Sequence, residues 1–175
     1  MNKLSKYCSS IIFSLLIITH VSHAEDLKIS FVDMDKIIAT STAGKKVQKS
    51  INNQIKKENE KFKKKEASLK KKEEDILKQK NIISKEELDL KIKDFQKNLN
   101  ELRSEKNNFN RAITKKNLDA TNKMVNEINK ILTKYAADNS ISLVVQKKNI
   151  IIGKSELDIT DEILKEFNSQ IKSID

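Results

Sequence analysis

"KNIISKEEL", Lys80 to Leu88, interrupts an otherwise unbroken run of lysine-rich helix formers. Ser84 followed three residues later by Glu87 is a capping box, which offers side-chain partners to the unbonded amides of a new helix start. On either side, from residue 43 to 138, there is no proline and, past Gly44, no glycine, and the composition is dominated by Lys, Glu, Asn, Gln and Leu. That is a helical region. Two long helices therefore meet near residues 81–84. A short connection makes them antiparallel neighbours, so residues 43–138 read as a coiled-coil-like helical hairpin arm.

In the first helix of the arm the apolar residues fall at Val47, Ile51, Ile55, Phe62, Leu69 and Ile76, so most of its length carries one per heptad. In the second they fall at Leu88, Ile92, Phe95, Leu99, Leu102, Phe109 and Ile113, alternating threes and fours with one position skipped at Lys106. This is coiled-coil spacing. After Ile113 the pattern steps eleven residues to Met124, then Ile128, Ile131 and Tyr135, a slip that locally unwinds a supercoil. At ~1.5 Å per residue, a second helix of about 54 residues reaches on the order of 80 Å. A core-facing helix shows about three apolar positions in seven. The narrower stripe here predicts a flexible outer half that projects into solvent.

The flanks read differently. "LKISFVDM" alternates Ile29 and Phe31 against Lys28 and Ser30, "ISLVVQ" carries Ile141, Leu143, Val144 and Val145, and "NIIIG" follows after a two-lysine turn. These predict three short strands, the last two a hairpin. "DITDEILKEFNSQIKSI" has capping residues and first-turn acids in Asp158 to Glu162, then Ile163, Leu164, Phe167, Ile171 and Ile174 at helical spacing. The first strand is separated from its partners by the whole hairpin. Residues 25–42 and 139–175 must therefore meet in one discontinuous β-rich body, giving an α+β, mostly helical fold. Three short strands and one or two short helices cannot cover their own sheet edges. A cyclic oligomer follows, with the β body shared between subunits and Ile29, Phe31, Leu143, Val145 and Ile151 as candidate contacts.

Between the first strand and the arm lies "VDMDKIIATSTAGKKVQ", Val32 to Gln48. Asp33 and Asp35 end the strand and offer caps to a short helical turn, and Ser41 or Thr42 caps the long helix. As an acid/base or metal pair the two aspartates lack companions. Lys3 and Lys6, the apolar run Ile11 to Ile18 and Ser22-His23-Ala24 form an export signal, residues 1–24, with cleavage after Ala24. The run is too short for a membrane span of roughly 20 apolar residues. Cys8, His20 and His23, every cysteine and histidine of the chain, lie inside it. The exported part then holds no disulfide, thiolate nucleophile, imidazole base or nitrogen/sulfur metal site. With Gly44 and Gly153 as the only glycines, no phosphate-cradling loop is encoded. The reading is no enzyme, no catalytic residue, no cofactor and no metal.

The chain has 35 basic and 25 acidic residues. From Lys45 to Lys80 there are 14 lysines and 6 acids, so the excess positive charge sits on the arm. A basic arm favours anionic partners, whereas the neutral alternative is a solvated face.

The order of strand "FVDMDKII", small-residue link "STAGKKVQ", long helical hairpin, "SLVVQKKNIIIG" and terminal "DITDEILKEF" resembles the Skp/OmpH family of periplasmic chaperones over nearly the whole exported chain. The resemblance implies a homotrimer in which strands of three chains build a shared body and three arms surround a cavity. It implies an ATP-independent holdase that binds unfolded outer-membrane β-barrel proteins in the periplasm and prevents their aggregation. On that basis Lys56, Lys57, Lys63, Lys64, Lys70 and Lys71 are candidates for an electrostatic lining. Phe62, Leu69, Phe95, Leu102 and Phe109 read first as the seam between the arm helices and, near the tip, as client contacts. The alternative class is an exported structural coiled coil, or a protein binding an anionic lipid or lipopolysaccharide surface, without chaperone activity. Nucleic acid is excluded as a physiological partner by export and by the lack of any base-reading module.

Overall fold

The computed structural model describes residues 27–174. The expected export signal, residues 1–24, lies outside the described residues. The elements in chain order are β1 (Ile29–Val32), α1 (Met34–Thr40), α2 (Thr42–Gln79), α3 (Lys85–Asp138), β2 (Leu143–Gln146) and α4 (Thr160–Gln170). Short 3-10 turns at Lys147–Asn149 and Ser155–Leu157 lie between β2 and α4. The fold is mostly helical, with a small two-stranded sheet and a long antiparallel helical hairpin.

Three of the four helices start at a residue whose side chain caps a first-turn amide. Asp33 caps α1 by accepting from Lys36 N at 2.8 Å, Ser41 caps α2 by accepting from Gly44 N at 3.1 Å, and Ser84 caps α3 by accepting from Glu87 N at 3.2 Å. The α3 C-terminus closes in a Schellman motif. Ile141 N donates to Ala136 O and Ser140 N to Ala137 O, which places Ser140 at φ 54°.

β1 and β2 pair in parallel, with Ile29 opposite Leu143 and Phe31 opposite Val145. The crossover between them is the whole arm. On the other edge of β1, Ile159 N donates to Phe31 O at 3.0 Å, and Phe31 bridges Asp158. This arrangement corrects the expectation of a third strand. "NIIIG" forms no ladder, because the 3-10 turn at Lys147–Asn149 carries the chain away from β2 and over β1, where Asp158 and Ile159 take the open edge. Ile151 and Ile152 are left 98 % and 91 % exposed.

The body core gathers Val32, Met34, Ile37, Ala43, Met124, Ile128, Ile131, Ile159, Ile163 and Phe167. Met124, Ile128 and Ile131, the residues after the eleven-residue slip, are thus where α3 leaves the arm seam and enters the body. One helix runs through both, so the arm is continuous with the core. At the α1–α2 corner a Cβ on Gly44 would lie 1.8 Å from the Ile38 carbonyl oxygen. Only a residue without a side chain admits that approach.

A polar knot ties the termini together. Thr160 is 2 % exposed; its Oγ1 accepts from Asp33 N at 2.8 Å and donates to Asp158 Oδ1. The Asp158 carboxylate also accepts from Thr160 N at 3.0 Å and from Lys147 Nζ at 2.8 Å. One carboxylate thereby joins the end of β1, the exit of β2 and the start of α4. Burial pushes the Asp158 carboxyl up, but Lys147 and the Thr160 hydroxyl and amide outweigh it and hold the group below the ordinary aspartate value.

Two outcomes are expected. Helix propensity alone would make Gly44→Ala stabilising by about 1 kcal/mol, but the Ile38 carbonyl reverses the sign, and urea unfolding should show a loss of about 1–3 kcal/mol. The knot's contribution is fully present above the ordinary aspartate pKa of 3.8 and is lost as pH falls through the depressed native value. Asp158→Asn should therefore be less stable than the native chain at neutral pH, with the difference closing in acid, as followed by thermal melts across that range.

Candidate functional site

The arm seam is thin. Phe62, Leu69 and Leu102 are buried in it, with Phe95, Leu99 and Phe109 half-buried around them. The Phe62 and Phe109 rings meet edge to face at 5.8 Å. The five apolar candidates are therefore placed between α2 and α3. Ion pairs reinforce this seam: Lys65 with Glu105, Lys72 with Asp94 at 2.9 Å, and Lys106 with Glu66. All are solvent-exposed, where an ion pair contributes little to stability. Lys72, helped by Asn98 and opposed by burial, holds the Asp94 carboxyl below its usual range.

At roughly 100° per residue, the lysines of α2 sort by direction from Phe62. Lys61, Lys65 and Lys72 lie on one flank of the seam, and each pairs with an acid, Lys61 with Glu58 at 2.8 Å. Lys56, Lys63 and Lys70 lie on the opposite flank, and Lys57, Lys64 and Lys71 on the back. Among the described residues none of these six makes an ion pair, and all six are exposed. They form two stripes with a heptad repeat, about 10.5 Å between successive charges. The charge that folding uses and the charge that it leaves over are thus on different faces of one helix.

In the body, Ser30, Val32 and Val144 turn toward the core, and the alternate residues face away from it. Ile29 is 38 % and Leu143 49 % exposed, while Val145 is half-buried. Phe31 is covered: Lys147 Nζ stands 5.8 Å from its ring centre, and a Cβ on Gly153 would come within 2.9 Å of the ring. Beside the second edge of β2 runs a groove of about 390 Å³ lined by Met34, Leu132, Ala136, Val144 and Val145. Sequence reasoning named Ile151 here and missed Ile152, although the same "NIIIG" run carries both. At the arm tip it also missed Leu77, Ile82 and Leu90, which are exposed; their spacing off the heptad was the available signal.

Among the described residues no group of three His, Cys, Asp or Glu side chains is placed to hold a metal ion. No helix there is long and apolar enough to cross a membrane.

Residues 28–167 match the family described as outer membrane protein (OmpH-like). The crystal structure of an OmpH-like protein from Caulobacter crescentus CB15, provisionally described as an outer membrane chaperone, superposes with a TM-score of 0.78 at 15 % identity, covering 84 % of this chain and 87 % of that one. It shares the fold. No curated protein matches the sequence significantly.

The sorting of lysines predicts two different responses. Changing Lys56, Lys57, Lys63, Lys64, Lys70 and Lys71 together to Gln should leave unfolding free energy within about 0.5 kcal/mol of the native chain. Changing only Lys65, Lys72 and Lys106 to Gln should lower it and speed amide exchange in the outer arm, as read by hydrogen–deuterium exchange.

Proposed function

The chain belongs to the OmpH-like outer membrane protein family, and from that membership we propose that it is an ATP-independent periplasmic holdase chaperone. It binds unfolded outer-membrane β-barrel proteins between its arms and keeps them from aggregating. The observation that carries this reading is the segregation of charge on α2. Six lysines are exposed and unpaired while their neighbours on the same helix are spent on the seam. A surface of that kind concentrates an acidic, unfolded chain and raises its capture rate without a rigid recognition site. The thin seam lets the arm follow clients of different size.

The working unit is a homotrimer. The exposed sheet residues Ile29 and Leu143, the free edge of β2 and the Ile151–Ile152 loop support this. A body of this size with an open edge is completed by further copies. Ile29, Phe31, Leu143, Val145 and Ile151 belong to that shared body, and the arms to the client cavity. The same lysine stripes would also suit an anionic lipid or lipopolysaccharide surface. Salt separates the two, because attraction to a charged surface alone is screened over about 8 Å at physiological ionic strength, while a holdase also buries apolar client surface.

The test is light scattering by a urea-unfolded outer-membrane β-barrel protein diluted into the chain from Glu25 onward, without nucleotide, at ~0.15 M salt. Suppressed scattering is expected with the native chain, and scattering restored by several-fold with the six-lysine Gln variant. Aggregation unaffected by the native chain, with binding only to anionic vesicles, would overturn the holdase reading.

A further inference from the structure

At the root of the arm, α2 and α3 part around a cleft of about 570 Å³. The gap exists because small side chains face it, Ala112 and Ala120 from α3 and Ser50 from α2. Its floor is apolar: Val47, the two alanines, and Ile174 from the segment after α4. Among the described residues, Lys46, Lys115 and Lys116 stand around this floor with Asp119. Asp119 is taken by Lys115 at 2.6 Å. Lys116 reaches across the gap to two neutral acceptors, Ser50 Oγ at 3.2 Å and Gln54 Oε1 at 3.1 Å. Its position is fixed, and among the described residues it makes no ion pair. The size is that of a ligand pocket, and the pairing of an apolar floor with a cationic rim defines what it takes. One wall is a non-helical stretch of polypeptide, Ser173 and Ile174.

We propose that this cleft docks an acidic, apolar segment of an extended polypeptide, with the apolar side chain on Val47, Ala112 and Ile174 and the carboxylate at Lys46 and Lys116. The proposal rests on the holdase reading and adds to it a discrete anchoring point. Diffuse attraction along the lysine stripes gathers the client; the root cleft holds one segment of it at the closed end of the arm. Heptad-spaced lysines on a convex helix cannot do this, because they offer charge without an apolar floor.

The test uses the full chain from Glu25 onward and a short fluorescent peptide alternating Leu and Glu, with fluorescence anisotropy as the readout. Two variants address the cleft by different means: Ala112→Trp fills it and leaves every lysine in place, and Lys46→Glu with Lys116→Glu reverses the rim. Ala112 is exposed, so the bulky residue does not disturb the core. Both variants should weaken the peptide about tenfold or more, equivalent to 1.4 kcal/mol, and a Leu/Lys peptide should not bind. The proposal is overturned if both variants bind the peptide like the native chain, or if the Leu/Lys peptide binds equally well. It is also overturned if decyl phosphate binds in a cleft-dependent way and the peptide does not, since the occupant is then a lipid. Suppression of whole-client aggregation by the native chain is measured alongside. Its loss defeats the holdase reading, whereas its persistence with variant-insensitive peptide binding defeats only the cleft.

Discussion

The structure depends on one strand pairing. β1 is four residues long and has no partner nearby in sequence; it meets β2 in parallel only after the chain has run the length of the arm and back. Parallel strands need a crossover, and here the crossover is the whole arm. A contact of such sequence separation is costly in loop closure, so it is reinforced where the ends meet. Asp33, Thr160, Asp158 and Lys147 bind one another at that point, and Ile159 takes the second edge of β1. Because α3 carries Met124, Ile128 and Ile131 into the same core, the arm's direction is set by body packing.

The arm itself follows from what it does not bury. With one apolar residue per heptad along much of α2, hydrophobic packing is spread thinly, and exposed ion pairs flank it on both sides, Lys65–Glu105 and Lys72–Asp94 on one and Glu66–Lys106 on the other. Stabilisation of that kind is modest and sensitive to salt. On the second flank and the back of α2, Lys56, Lys57, Lys63, Lys64, Lys70 and Lys71 make no ion pair among the described residues. The lysines of α2 that pair across the seam and those that do not are on different faces of the same helix.

Much of this was legible in the residues. Ser84 and Glu87 marked the turn of the hairpin, and the heptad positions marked Phe62, Leu69, Phe95, Leu102 and Phe109 as the seam; of the caps read as Asp33 and Asp35, and as Ser41 or Thr42, it is Asp33 and Ser41 that cap. These are local rules, set by one turn of helix. What was not legible were the features set by chain direction. "NIIIG" has the composition of a strand, but whether it pairs depends on where the preceding turn sends it, and the 3-10 turn at Lys147–Asn149 sends it past β2. The sorting of paired from unpaired lysines was hidden for a similar reason, since it requires the rotation of α2 about its axis relative to the acids of α3. The root cleft depends on small residues at Ser50, Ala112 and Ala120, which carry no signal until two helices are set side by side.

The open β2 edge and the exposed Ile151–Ile152 loop are the surfaces on which the proposed trimer rests. The most direct measurement is the mass in solution, by light scattering coupled to gel filtration, of the chain from Glu25 onward, alone and after addition of an urea-unfolded outer-membrane β-barrel protein. The account predicts a trimer alone and a soluble complex of one client per trimer with it. A monomer that leaves the client to precipitate would contradict it.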